Sequence, residues 1–255
     1  MSARPVLPLR VLVAATLVTA MLAAATQASA APGSLREGLF GEGRYDGRRF
    51  SAPPVGRYVV EDGRAFVLDR STPRPLMKFE NSAEVWVLQA QPAPRGDIIY
   101  KNDLGEPVLR ATRLGGLTVF TQERPSGAPA ALVGDSNPLR LPVLGPEALL
   151  QKLAQASARA SRAARRLIPF EADASPQTAP LVADAAMVAA EAVVRMSANA
   201  EGRAALTKVS KVTLVEGKRP GASLRAGVIL ITITPEDGLA GRPSSQKIVA
   251  AAGVR

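Results

Sequence analysis

The 255-residue chain contains neither cysteine nor histidine. That double absence removes disulfides, cysteine nucleophiles, Ser-His-Asp triads and zinc sites of the usual ligand set. Any catalysis is confined to carboxylates, Lys, Tyr, Ser or Thr, or to a hard metal held by oxygen ligands, and the fold must rest on packing alone. Aromatics are scarce as well. One Trp, three Tyr and six Phe, scattered along the chain, form no stacking platform of the kind single-stranded nucleic acid needs. Nucleic acid is therefore not an expected partner, although Lys and Arg number 32 against 22 Asp and Glu. Glycine-rich nucleotide loops are missing too: Gly115-Gly116 lacks the following helix and the Lys or Ser/Thr of a phosphate cradle. No cofactor is expected, and no internal repeat is visible.

What is present begins with an address. Arg4 and Arg10 make a basic start, Val11 to Ala24 is uncharged and apolar, and Ala28-Ser29-Ala30 supplies the small-x-small pattern of a signal peptidase site, placing cleavage before Ala31. The apolar run is short for a membrane anchor, which needs about 20 residues. The expectation is an exported protein, periplasmic or extracellular, that meets the membrane only transiently through its leader. Without Arg4 and Arg10 the net charge is about +8, which favours anionic partners.

Residues 31–56 read as a flexible lead-in rich in Gly, Arg, Ser and Pro, residues 57–143 as an antiparallel β region, and residues 144–255 as a helical region with C-terminal strands. Tyr58–Val60 and Ala65–Leu68 flank Asp62-Gly63, a hairpin signal in which both turn residues take positive φ. Strands are expected at Leu76–Phe79 and Glu84–Leu88, the latter central because it is apolar on both faces. Ile98–Lys101, Pro107–Arg113 and Leu117–Thr121 form a meander, with short pieces near Ala131–Val133 and Leu139–Val143 to close a small barrel or sandwich. Pro146 opens a helix running to Ile168, residues 171–180 read as a linker, and a second helix covers Leu181–Ala198. On that helix Asp184, Glu191 and Arg195 make one narrow polar stripe. A third short helix at Gly202–Val209 leads to strands at Lys211–Val215 and Leu224–Thr234, which the α+β reading allows to return to the first sheet.

Candidate functional residues cluster at Lys101, Asn102, Asp103, Glu106, Arg110 and Arg113. The Asn102–Glu106 segment reads first as a turn, since Asn, Asp and Gly tolerate unusual backbone angles. Arg110 and Arg113, three apart, point to opposite faces if both lie in one strand. Ser244-Ser245-Gln246-Lys247 contains the Ser-x-x-Lys spacing of penicillin-binding proteins but lacks their accompanying motifs, so Ser244 reads as a helix N-cap. Arg159, Arg162 and Arg166 share one face of the first helix, read as a solvated basic face rather than a membrane-inserting one.

Tyr100-Lys101-Asn102-Asp103, Gly105-Glu106-Pro107-Val108-Leu109-Arg110, Thr112-Arg113-Leu114-Gly115-Gly116 and Thr118-Val119-Phe120-Thr121, with Gly238-Leu239-Ala240-Gly241-Arg242-Pro243-Ser244-Ser245, resemble the signature of a family of exported bacterial proteins carrying a domain of unknown function. The resemblance implies no activity, substrate or catalytic residue. The expectation from charge and export is a non-enzymatic protein that binds an anionic envelope component or another envelope protein. An alternative expectation is a carboxylate-based envelope hydrolase using Asp103 and Glu106.

Overall fold

The computed structural model describes residues 52–254. The cleavage-site residues Ala28, Ala30 and Ala31, and the lead-in as far as residue 51, lie outside the described residues. Among those described, no helix is long and apolar enough to cross a membrane.

Nine strands form the first sheet: β1 (Gly56–Val60), β2 (Ala65–Asp69), β3 (Leu76–Phe79), β4 (Trp86–Val87), β5 (Gln89–Pro92), β6 (Ile98–Lys101), β7 (Pro107–Ala111), β8 (Leu117–Val119) and β9 (Ala128–Gly134). Their order is β4-β3-β2-β1-β9-β8-β7-β6-β5, antiparallel throughout. The two ends of that order are consecutive in the chain, with only Leu88 between them. The sheet must therefore curl until its edges meet in one bent strand, giving an almost closed barrel. Alternate residues point inward. Tyr58, Phe66, Leu68, Met77, Leu88, Tyr100, Leu109 and Val119 fill the interior, so the barrel is a packed core and not a ligand container.

The expected β1–β2 hairpin is present, and it pairs Tyr58 with Phe66. Its turn differs: only Gly63 has positive φ, 85°. Gly63 N–H bonds Val60 O and Val60 N–H bonds Arg64 O, each at 2.8 Å, a bulged turn in which Asp62 instead accepts from the Arg64 N–H. The Glu84–Leu88 reading is corrected more sharply. Its strand is two residues long and lies at an end of the sheet order. It is apolar on both faces because Leu88 enters the barrel core while Val85 packs on Leu76 and Leu239 outside it.

The second half is a two-layer α/β unit. Helix α1 (Pro146–Ala164), strand β10 (Phe170–Ala172), helix α2 (Ala179–Ser197), helix α3 (Ala200–Leu206), strands β11 (Lys211–Glu216), β12 (Gly221–Arg225) and β13 (Val228–Ile233), and helix α4 (Ser245–Ala251) follow in turn. The sheet order is β10-β11-β13-β12, with β10, β11 and β13 parallel and β12 antiparallel to β13. These strands do not return to the barrel; they make a separate sheet. Three further corrections apply. The supposed linker at 171–180 contains the start of the sheet, β10. The Leu224–Thr234 strand is broken at Ala226 and Gly227, with φ of 47° and 79°, the two-residue turn of a tight hairpin. Helix α1 stops at Ala164 because Arg165 turns left-handed, after which Ser157 and Ser161 bind the Ile168 backbone.

Val212, Leu214, Ile229, Ile231 and Ile233 face a buried layer formed by α2, where Val182, Ala186, Ala189, Val193 and Met196 are sealed from solvent. One face of β13 is fully buried and the other only partly. Ile231→Ala removes a wholly buried side chain and should destabilise the protein by about 2–5 kcal/mol in urea unfolding. Val133→Ala, at a side chain 52 % exposed, should change the midpoint little.

Candidate functional site at the junction of the two halves

The turn after β6 is built by Asn102. Its side-chain Oδ1 accepts from the N–H groups of Leu104 and Glu106 at 3.0 and 2.9 Å, and Gly105 takes φ of 83°. The Asn102 amide then donates to Glu106 at 3.0 Å and, across the molecule, to Gln246 at 2.9 Å. The turn reading holds, and it also docks the turn onto the far end of the chain.

Asp103 completes that docking. It accepts the Ser244 N–H at 2.8 Å and the Ser244 hydroxyl at 2.6 Å. Buried Glu84 takes the next residue in the same way, from Ser245 N–H at 2.8 Å and Ser245 Oγ at 2.6 Å. Ser244 is the N-cap of α4, accepting from Lys247 N–H at 3.0 Å. Two carboxylates from the barrel therefore meet the positive end of a helix from the other half.

Arg242, with its side chain only 1 % exposed, pairs with Asp184 of α2 and donates to Val85 O at 2.9 Å. The polar stripe of α2 is accounted for along its whole length: Asp184 holds Arg242, Glu191 holds Arg159, and Arg195 approaches Glu84 at 3.7 Å. The segment 238–245 is shaped for this packing. Gly238 has φ of 54°, Leu239 packs on Leu76 and Val85, and a Cβ on Gly241 would lie 1.9 Å from Thr234 O.

Beside this seam lies an open groove of about 470 Å³. Arg74, Lys218, Arg219 and Lys247 line it with Trp86, and the facing acids are Asp103 and Asp237. Asp103 is occupied by Ser244, and Asp237 stands 3.9 Å from Arg74, so the lining carries a cationic surplus. Lys218, Arg219 and Asp237 sit just beyond the carboxyl ends of parallel β11 and β13, the end of such sheets where ligands commonly bind.

Of the residues singled out in the sequence, Asn102 and Asp103 reach this groove. Lys101 ends β6 half-buried and outside the lining. Glu106 is exposed and engaged with Asn102. Arg110 lines a second hollow of about 480 Å³ with Asp97, Ile99, Pro107 and Phe120. It donates to Asp97 Oδ2 at 2.9 and 2.5 Å, while Arg113 gives its backbone N–H to Asp97 Oδ1 at 3.2 Å. Arg113 follows the strand rather than belonging to it, so the opposite-face argument does not apply; the two arginines converge on one carboxylate, one by side chain and one by backbone. Ser244 and Lys247, singled out for their Ser-x-x-Lys spacing, line the groove as well, whereas Arg74, Trp86, Lys218 and Arg219 were not singled out. For Lys218 and Arg219 the only local signal was a Lys-Arg-Pro turn directly after a strand.

A family model, described as a domain of unknown function (DUF4908), matches residues 34–252. The chain belongs to this family. Neither curated proteins nor solved structures gave a match. The DUF4908 match spans both the barrel and the α/β unit, and so covers every residue of the seam. Within it, the two stretches that resembled a family signature, 100–121 and 238–245, are the ones that touch: Asp103 binds Ser244.

Two outcomes follow. Glu84→Ala leaves the Ser245 donors and Arg195 without their buried carboxylate and should cost roughly 3 kcal/mol or more, whereas Asp103→Ala, at a partly exposed site, should cost about 1 kcal/mol. Chemical unfolding of both variants checks the difference. The Arg110 guanidinium, with help from the Arg113 N–H, holds the Asp97 carboxyl below its ordinary range. A lowered folded pKa stabilises above the unfolded value of about 3.9 and is lost as pH falls through the lower folded value. Asp97→Asn should therefore flatten the acid limb of the stability profile below about pH 4, read by thermal melts across pH.

Proposed function

We propose that this DUF4908 protein is a non-enzymatic binding protein of the cell envelope, and that its ligand is an anionic envelope component held in the groove at the junction. The observation that carries the reading is the cationic surplus that Lys218, Arg219 and Lys247 add beside the Arg74–Asp237 pair in the groove that Trp86 also lines. The leader pattern in residues 1–30 and the basic chain support the envelope setting. Phosphate or carboxylate groups are the chemistry that such a lining recognises, and an indole beside them offers a flat apolar surface to a sugar ring or acyl segment.

A hydrolytic reading needs two carboxylates directed at one substrate. Asp103 is tied to Ser244 and Glu106 to Asn102, so this pair supports hydrolysis less well than the groove supports binding.

Trp86 is the only tryptophan in the chain, so its emission reports on the groove. Titration with lipopolysaccharide and with an acidic polysaccharide should change that emission saturably, and neutral dextran should not. The double variant Lys218→Ala, Arg219→Ala should weaken binding at least about tenfold, since hydrogen bonds to charged groups contribute on the order of 1.5–3 kcal/mol each. Unchanged affinity in that variant would remove the groove from the proposal. The envelope setting is checked separately: intact mass of the chain from cells should show a start at Ala31.

A further inference from the structure

Parallel pairing brings three separate segments to the opposite end of the α/β sheet from the groove. Phe170 of β10, Val212 of β11 and Ile229 of β13 lie side by side in register. The chain stretches that lead into these strands therefore meet at one edge: the end of α1 through residue 169, the α3–β11 turn, and the tip of the β12–β13 hairpin. Val212 N–H bonds Pro169 O at 3.0 Å, and Ser210 N–H bonds Gly227 O at 2.6 Å. Arg166 crosses between two of the three by donating to Thr207 O at 2.7 Å.

The residues gathered there are of one sign. Arg162, Arg165, Arg166, Lys208 and Arg225 are all exposed. Arg166 is bonded to a neutral carbonyl, which leaves its charge uncancelled. The nearby acids Glu171 and Glu191 are already matched by Lys211 and Arg159. At one side of this basic rim, just ahead of edge strand β10, stands Leu167, 76 % exposed, although it lies between buried Ile168 and charged Arg166. Arg165, with φ of 54°, ends the helix so that residues 165–167 project past it.

We infer that this face is a docking surface for an anionic lipid bilayer. A row of Arg and Lys beside one protruding leucine matches a headgroup layer, where cations meet phosphates and an apolar side chain enters the acyl boundary. A polyanion such as nucleic acid would use the cations and gain little from the leucine. The inference goes beyond the sequence expectation that the membrane meets the chain only through its leader. It is independent of the groove, which sits at the other end of the same strands and would face away from the bilayer.

The absence of cysteine gives a local probe that is blind to residues 1–30. Leu167→Cys carrying an environment-sensitive fluorophore should shift to the blue with vesicles containing phosphatidylglycerol, and not with pure phosphatidylcholine vesicles. The same label on Val133→Cys, on the barrel, should not respond. Combining Arg162→Gln, Arg165→Gly and Arg225→Gln, all at exposed positions, should weaken the response on the order of 100-fold, about fivefold per cation removed, and added salt should act in the same direction. A label at 167 that stays water-exposed on phosphatidylglycerol vesicles overturns the proposal, including the case where the protein still sediments with them. So does a response that the triple variant leaves unchanged. Competition by an oligonucleotide with no blue shift on vesicles would assign the face to polyanions instead.

Discussion

Glu84 and Asp103 hold Ser245 and Ser244, and the arrangement of the two halves depends on that grip. A helix start buried without partners would leave backbone donors unsatisfied, at a cost of several kcal/mol. Here the partners are carboxylates from the barrel, so neither half is complete alone. Arg242 extends the same logic, since its guanidinium needs both Asp184 from α2 and the Val85 carbonyl from the barrel. Such a buried ion pair adds little net stability over an apolar one, but it admits few alternative geometries. Its contribution is position: it fixes the Val85 backbone against α2 and the 238–245 segment.

The seam also explains why carboxylates in the most patterned stretch of the chain are poor candidates for chemistry. A general acid or base must face a ligand with a free lone pair or proton. Asp103 gives both oxygens to Ser244, and Asn102 is committed to closing its own turn and to Gln246. The residues beside them, Lys218, Arg219 and Lys247, have no such commitment. Support for order and availability for binding thus fall on different residues of one region, and the motif residues belong to the first group.

How much of this was legible in the sequence follows from the range of each interaction. The β1–β2 hairpin, the β6–β8 meander, the start of α1 and nearly all of α2 are specified by periodicity and turn residues within a few positions, and those readings held. The Ala226-Gly227 turn was missed because alanine at positive φ announces nothing. Strand β10 was missed because three residues in an Ala/Ser/Pro stretch pair only with a partner forty positions away. The stripe Asp184, Glu191, Arg195 was visible as polarity on a buried helix, while its partners Arg242, Arg159 and Glu84 were not. The family resemblance marked the right segments, 100–121 and 238–245, yet nothing in either one alone says that it packs on the other.

A filled barrel constrains where any ligand can go. Tyr100, Phe66, Met77, Leu88 and Leu109 leave no interior space comparable to a small molecule, so the barrel serves as a wall and a source of partner groups. The two proposed contacts fall instead on surfaces that the second half creates. Its parallel strands provide two distinct ends: the carboxyl ends, with the 235–247 segment, border the basic groove, and the amino ends carry exposed arginines, a lysine and one exposed leucine. A groove suits a discrete ligand, and an exposed basic face with an apolar side chain suits a headgroup layer. The direction of three strands, set by the crossover through α2 and α3, therefore puts the two proposed contacts at opposite ends of one small sheet.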